Sequence, residues 1–193
     1  MNIPFSPPDI GEAEIAEVTD TLRSGWITTG PKTKKFEKLI KEYTGAAGCA
    51  CLNSQTACGE MTLRLLGVGE GDEVIVPAYT YTATASVVCH VGATLKMVDV
   101  KPGTLEMDRE KLEAAVTDKT KVIIPVDVAG IMCDYDSIYE IVERKKALFT
   151  PENDIQKAFG RIIVMAEGAH SLGAVRNGVK SGNRADFTNF SFH

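Results

Sequence analysis

The chain has 193 residues, 44% of them hydrophobic and 24% charged, with a formal net charge of −5. That length suits one ordinary domain whose core needs no disulfide or metal staple. The acidic balance excludes the basic face that a nucleic-acid binder requires, and no stretch approaches the ~18 consecutive apolar residues of a membrane span.

The opening, Met-Asn-Ile-Pro-Phe-Ser-Pro-Pro-Asp, has no basic segment followed by an apolar one. No secretory signal is read there, and the cytoplasm is the expected location. Five cysteines, Cys49, Cys51, Cys58, Cys89 and Cys133, are odd in number, and most sit in apolar runs. Cys49-x-Cys51 lacks the two-residue spacing of zinc or thioredoxin-type pairs, so free and mostly buried thiols are expected. Three histidines without ligand spacing predict no metal site.

In chain order, the Pro-rich residues 1–10 read as extended. Ile15, Val18 and Leu22 recur at helical spacing over 12–24, stopped by Gly25. After the turn-rich Trp26-Ile-Thr-Thr-Gly-Pro31, a second amphipathic helix runs from Lys32 with Phe36, Leu39, Ile40 and Tyr43, ending near Gly45. Both helices are expected to pack their apolar faces into the core. Residues 49–52 read as a short strand. It runs into Asn53-Ser-Gln-Thr56 and a helix carrying Ala57, Met61, Leu65 and Leu66. Strand, small polar residues, then helix presents N–H groups and hydroxyls to a phosphate; the same residues also serve as ordinary N-caps. The Gly-x4-Gly-Lys of a Walker loop is absent.

Residues 73–76 form a predicted strand closed by Pro77, and a helix follows to Val91. Tyr81, just past the strand end, suits stacking on a planar ligand and equally a place in the core. Residues 94–98 are the next strand. Asp108 caps a helix through Leu112 and Val116, a buried-type strand covers 122–126, and Ile138, Ile141 and Val142 line a helix over 136–145. Thr150-Pro-Glu152 opens a further helical turn, with proline in the favoured first position, inside a polar excursion over 143–157. An apolar run at 162–165 then leads into Glu167 and His170. A glycine-rich turn region follows, and a last apolar run at 187–192 holds Ser191 and leads into His193. This alternation predicts the α/β class: a three-layer, mostly parallel sheet flanked by helices, in a single domain over 1–193. Ligands of open α/β sheets sit outside the carboxyl ends of the strands, which is where these polar residues fall.

Ser24-Gly-Trp26, Thr29-Gly-Pro31 and Phe36-Glu37 open an ordered series of motifs. It continues through Asn53-Ser-Gln-Thr-Ala57, Gly71-Asp-Glu-Val-Ile-Val-Pro77, Tyr79-Thr-Tyr-Thr-Ala83, Gly92-Ala93, Asp99, Lys119-Thr-Lys121 and Pro125. Glu167-Gly-Ala-His-Ser-Leu-Gly-Ala174 and Phe190-Ser-Phe-His193 complete it. The series resembles the DegT/DnrJ-type sugar aminotransferases, fold-type I enzymes dependent on pyridoxal 5'-phosphate (PLP). The resemblance implies that residues 1–193 are most of the PLP-binding large domain, with the C-terminal small domain absent.

It also implies roles. Glu167 stands where the family usually has Asp, against the protonated ring nitrogen of PLP. Thr56 and Ser191 hold the phosphate with their hydroxyls, helped by the N–H groups of Gln55 and Thr56. Gln55 replaces a small residue and brings an amide donor. Tyr81 stacks on the ring, His170 sits by its other side or its phenolic oxygen, and Asp127 lies near the substrate. The Schiff-base lysine falls a few positions beyond His193, so no residue of this chain is expected to be catalytic. The implied activity is amination of a nucleotide-linked keto-sugar, with glutamate as donor, in a homodimer, and this chain alone is expected to be an inactive fragment. The alternative is a non-catalytic PLP-fold remnant serving as an assembly or regulatory subunit.

Overall fold

The structure, a computed structural model, describes residues 7–193. The first six residues of the Pro-rich opening lie outside the described residues. In chain order the described chain forms α1 (Glu12–Ser24), α2 (Pro31–Thr44), α3 (Gln55–Leu65), β1 (Glu73–Pro77), α4 (Thr82–His90) and β2 (Thr94–Val98). Then come α5 (Arg109–Ala115), β3 (Thr120–Ile123), α6 (Tyr135–Arg144), α7 (Asp154–Phe159) and β4 (Ile163–Glu167). A hairpin, β5 (Val175–Arg176) and β6 (Val179–Lys180), precedes β7 (Phe187–Asn189).

Strands β2, β1, β3, β4 and β7 form, in that order, a five-stranded sheet in which every pair is parallel. A parallel sheet is stable only with both faces covered, so its strands are apolar on both sides. The side chains alternate accordingly. Val74, Val76, Val122, Ile124, Ile163 and Met165 pack with Leu63, Leu66, Val87 and Val88 from the α3 and α4 side. Ile75, Ile123, Val164 and Ala166 pack with Leu112 of α5 and with Tyr135, Ile138, Ile141 and Val142 of α6. The three-layer architecture expected from the alternation is therefore present. No described helix is long and apolar enough to cross a membrane.

Helices α1 and α2 stop where expected, at Gly25 (φ 73) and Gly45 (φ 80), left-handed positions that glycine adopts without a Cβ penalty. Their burial differs from expectation. No residue of α1 is buried, and Ile15, Val18 and Leu22 are 50–65% exposed. In α2 only Thr44 is buried, and Phe36 meets Phe192 edge-on with ring centroids 5.0 Å apart. The two faces of the sheet are filled by α3 to α6, which leaves no core position for α1.

Other local expectations are corrected as well. Residues 49–52 form no strand; the Cys51 N–H is satisfied by Glu37 Oε1 at 3.0 Å rather than by a neighbouring strand. Strand β3 ends at Ile123, because Pro125 has no N–H for a ladder; Val126 keeps one isolated bridge, to Glu167. The turn expected at Pro151 starts instead at Asp154, because Asn153 caps it by accepting the Gln156 N–H at 2.9 Å. Strand β7 stops at Asn189, short of residue 192. In the glycine-rich region, Asn177 (φ 52) and Gly178 (φ 76) supply two left-handed positions that close the β5–β6 hairpin. All five cysteines are free, but only Cys133 is buried.

One side chain sets the level of the last strand. Asp186, just before β7, accepts two bonds from Arg161 (2.7 and 2.8 Å) and one from the Val164 N–H of β4 (2.9 Å). This fixes the register that puts Asn189 beside Glu167. Asp186→Ala leaves the guanidinium and the β4 N–H without their acceptor. It should cost about 1–3 kcal/mol in a urea titration, with Asp186→Asn losing less.

Candidate functional site

Glu167 is the last residue of β4 and is 8% exposed. Its Oε1 accepts the Ala169 N–H at 2.7 Å and the Gln55 side-chain amide at 3.3 Å. Its Oε2 has no partner among the described residues. Burial pushes this carboxyl above the usual glutamate range. The Ala169 N–H and the nearby His170 favour the charged form and oppose the shift, while the Asp127 charge adds to it.

Gln55 opens α3. The cap before it is Ser54, whose hydroxyl accepts the Ala57 N–H at 3.1 Å. The N–H groups of Gln55 and Thr56 have no acceptor among the described residues. An 11-residue helix thus presents free donors and the positive end of its dipole. Gln55, Thr56, Ala83, Thr84, Glu167 and Asn189 line one cleft. Its volume of about 10 Å³ is room for one water. The ends of α3, β4 and β7 therefore converge, and three of the expected residues, Gln55, Thr56 and Glu167, share this cleft.

The others lie outside its lining. Tyr81 caps α4 and is 78% exposed, so it is not a core aromatic. Ser191 follows β7, half-buried, and its hydroxyl accepts the His193 N–H at 3.3 Å. His170 is exposed, and its Nδ1 accepts the Ala129 N–H at 3.2 Å. A neutral ring held this way carries its proton on Nε2. Asp127 is turned inward at 1% exposure. Its Oδ1 accepts the Cys133 N–H and the Tyr135 hydroxyl, both at 2.9 Å, and its Oδ2 has no partner. Burial pushes its pKa up against those bonds.

Sequence reasoning missed Ala129, Ala169 and Asn189. Ala129 has φ 53, a left-handed value that costs a non-glycine residue energy, and its N–H points at His170. Asn189 was readable in principle, because two polar strand ends in neighbouring parallel strands sit side by side. No lysine lines the cleft. Lys180 is bonded to the Tyr43 carbonyl at 2.9 Å, and the buried Lys121 is held by Glu152 and Asp72. Among the described residues no group of three or more His, Cys, Asp or Glu is placed to hold a metal ion.

The raised pKa of Glu167 has a measurable sign. The folded protein holds this proton more tightly than the unfolded chain, so the ionised side chain costs stability above the folded pKa. The cost fades as pH falls toward the ordinary value of 4.5. Glu167→Gln should therefore melt a few degrees higher at neutral pH, with the gain shrinking as the pH approaches 4.5, read by thermal denaturation across pH. Ala129→Gly should add about 1 kcal/mol by relieving the left-handed alanine, read by denaturant titration.

The geometry can now be set beside known proteins. The model of the DegT/DnrJ/EryC1/StrS aminotransferase family matches residues 8–193. Spore coat polysaccharide biosynthesis protein SpsC of Bacillus subtilis (strain 168) is 37% identical over 191 residues, 99% of this chain and 45% of that protein. Spr1654 of Streptococcus pneumoniae, a proposed sugar aminotransferase, is 60% identical with a TM-score of 0.99 in its apo, PMP and PLP forms. The match covers 100% of this chain and 48–49% of that one. The GDP-4-keto-6-deoxymannose-3-dehydratase ColD, solved with bound GDP-perosamine, is 25% identical with a TM-score of 0.83, over 98% of this chain and 47% of that one. The chain thus spans about half the length of the relatives it matches. With nearly every residue matched, the chain belongs to the DegT/DnrJ/EryC1/StrS aminotransferase family.

Proposed function

We propose that this chain carries most of the cofactor-binding domain of a PLP-dependent aminotransferase. The reaction moves an amino group from glutamate to a nucleotide-linked keto-sugar, in a cytoplasmic homodimer. The observation that carries the reading is the buried carboxylate of Glu167 at the end of β4, bonded to Gln55 at the free N-terminus of α3. Family membership and the PLP and PMP forms of Spr1654 support the cofactor. The GDP-sugar bound to ColD supports the substrate class. The exposed apolar row Ile15, Val18 and Leu22 on α1 supports a second subunit.

The residues fit PLP by the chemistry of their donors. The unpaired N–H groups of Gln55 and Thr56 suit a phosphate dianion, and the hydroxyls of Thr56 and Ser191 add donors to it. Glu167 keeps one oxygen open, and an acid with a raised pKa readily shares a proton with a ring nitrogen. Tyr81 offers an exposed flat face, and His170 offers its Nε2–H to an oxygen. Asp127 serves the substrate side through the 128–133 segment, whose Cys133 N–H it holds. When bound, PLP supplies an electron sink for the pair left behind as an amino acid loses its α-proton. In this reading the cofactor is attached by a lysine that does not line this cleft.

The departures of Gln55 and Glu167 from the usual family pattern favour a second reading, a non-catalytic PLP-fold protein acting as an assembly or regulatory subunit. Absorbance spectroscopy separates the two. PLP is mixed with this chain and with a full-length protein that carries the lysine and the small domain. The aminotransferase reading expects a borohydride-sensitive visible band in the longer protein only, lost on adding glutamate. No band in either would overturn it and leave the non-catalytic reading in the lead.

A further inference from the structure

Gln55 and Glu167 are 112 residues apart in sequence and in contact in space. Gln55 donates its side-chain amide to Oε1, the same oxygen that takes the Ala169 N–H. Two donors from different elements on one oxygen stop the carboxylate from turning about its last bond. They also leave Oε2 as the oxygen with no protein partner. A glutamate has three side-chain torsions, and an unpinned one would lose that freedom at each binding event. Gln55 is itself a firm support, because the helix it opens is capped by Ser54.

We propose that Gln55 is a positioning residue for Glu167, pinning Oε1 so that Oε2 is held ready for a cationic ring N–H. This rests on the PLP reading above. The amide's target is therefore the acid, while the phosphate is left to the backbone N–H groups of α3. The contact has an electrostatic side as well. A donor favours the charged carboxylate, so losing it raises the acid's pKa further. The other titratable groups bearing on Glu167 are His170 and Asp127. The first turn of α3 contributes no acidic residue.

The test compares two ligands on the full-length protein: PLP, and an analogue with CH in place of the ring nitrogen. The variant is Gln55→Met, which keeps the side-chain length and removes the amide. Any effect on the phosphate or on helix α3 acts equally on both ligands and cancels in the ratio of their dissociation constants. The wild type should prefer PLP. Gln55→Met should lose about tenfold of that preference, and the acid limb of the preference should move to higher pH. An unchanged preference and pH profile in Gln55→Met would overturn the role of Gln55 while leaving the PLP reading intact. A wild type with no preference would overturn both.

Discussion

A parallel sheet cannot leave a face in water, and this constraint organises the chain. Each strand of β1, β3 and β4 is apolar on both sides and fills two separate clusters. In β1 and β4 the polar side chains fall at the strand ends, Glu73 and Glu167. At the carboxyl ends this yields Glu167 on β4 and Asn189 on β7, at the same level because their strands pair in register. The Asp186 clasp on Arg161 and Val164 holds that level. At the other end of the sheet, Lys121 is buried between Glu152 and Asp72, a pairing that neutralises charge rather than presenting it.

The site keeps its charge uncomfortable. Glu167 is buried with one oxygen bonded twice and the other without a partner, and burial raises its pKa. Asp127 nearby is buried too, with an orphaned oxygen. Ala129 sits in a left-handed conformation in order to bond His170. Unpaired acceptors and backbone strain both cost stability, and they gather at sites that bind something. The free N–H groups of α3 complement them, offering positive potential beside an acid whose pKa burial raises.

Much of this architecture was legible in the sequence. Two-sided apolar runs separated by helical spacing state a parallel sheet, and glycines such as Gly25 and Gly45 mark the helix ends. Burial was less legible. Periodicity shows that a helix has an apolar face but not that anything covers it, so Ile15, Val18 and Leu22 were assigned to a core they do not join. Residues 49–52 have strand-forming composition, but a strand needs a neighbour, and here a single carboxylate takes that part. Asn153 won the capping position over the proline signal at 151. Within the site, residue types were readable one at a time from their motifs. The bond between Gln55 and Glu167 was not, because only the packing of α3 over the end of β4 brings them together. Its effect is to join two residues that each depart from the usual family pattern.

The central claim is that the N-terminus of α3 and the end of β4 form one binding cradle for a phosphorylated, nitrogen-containing ring. Phosphorus NMR of PLP bound to the full-length protein tests it most directly. A phosphate held by the Gln55 and Thr56 N–H groups should stay dianionic, with a resonance that does not move across the pH range where free PLP titrates. A bound resonance that titrates like the free cofactor would show that the phosphate is not held at that helix end, and would contradict the account.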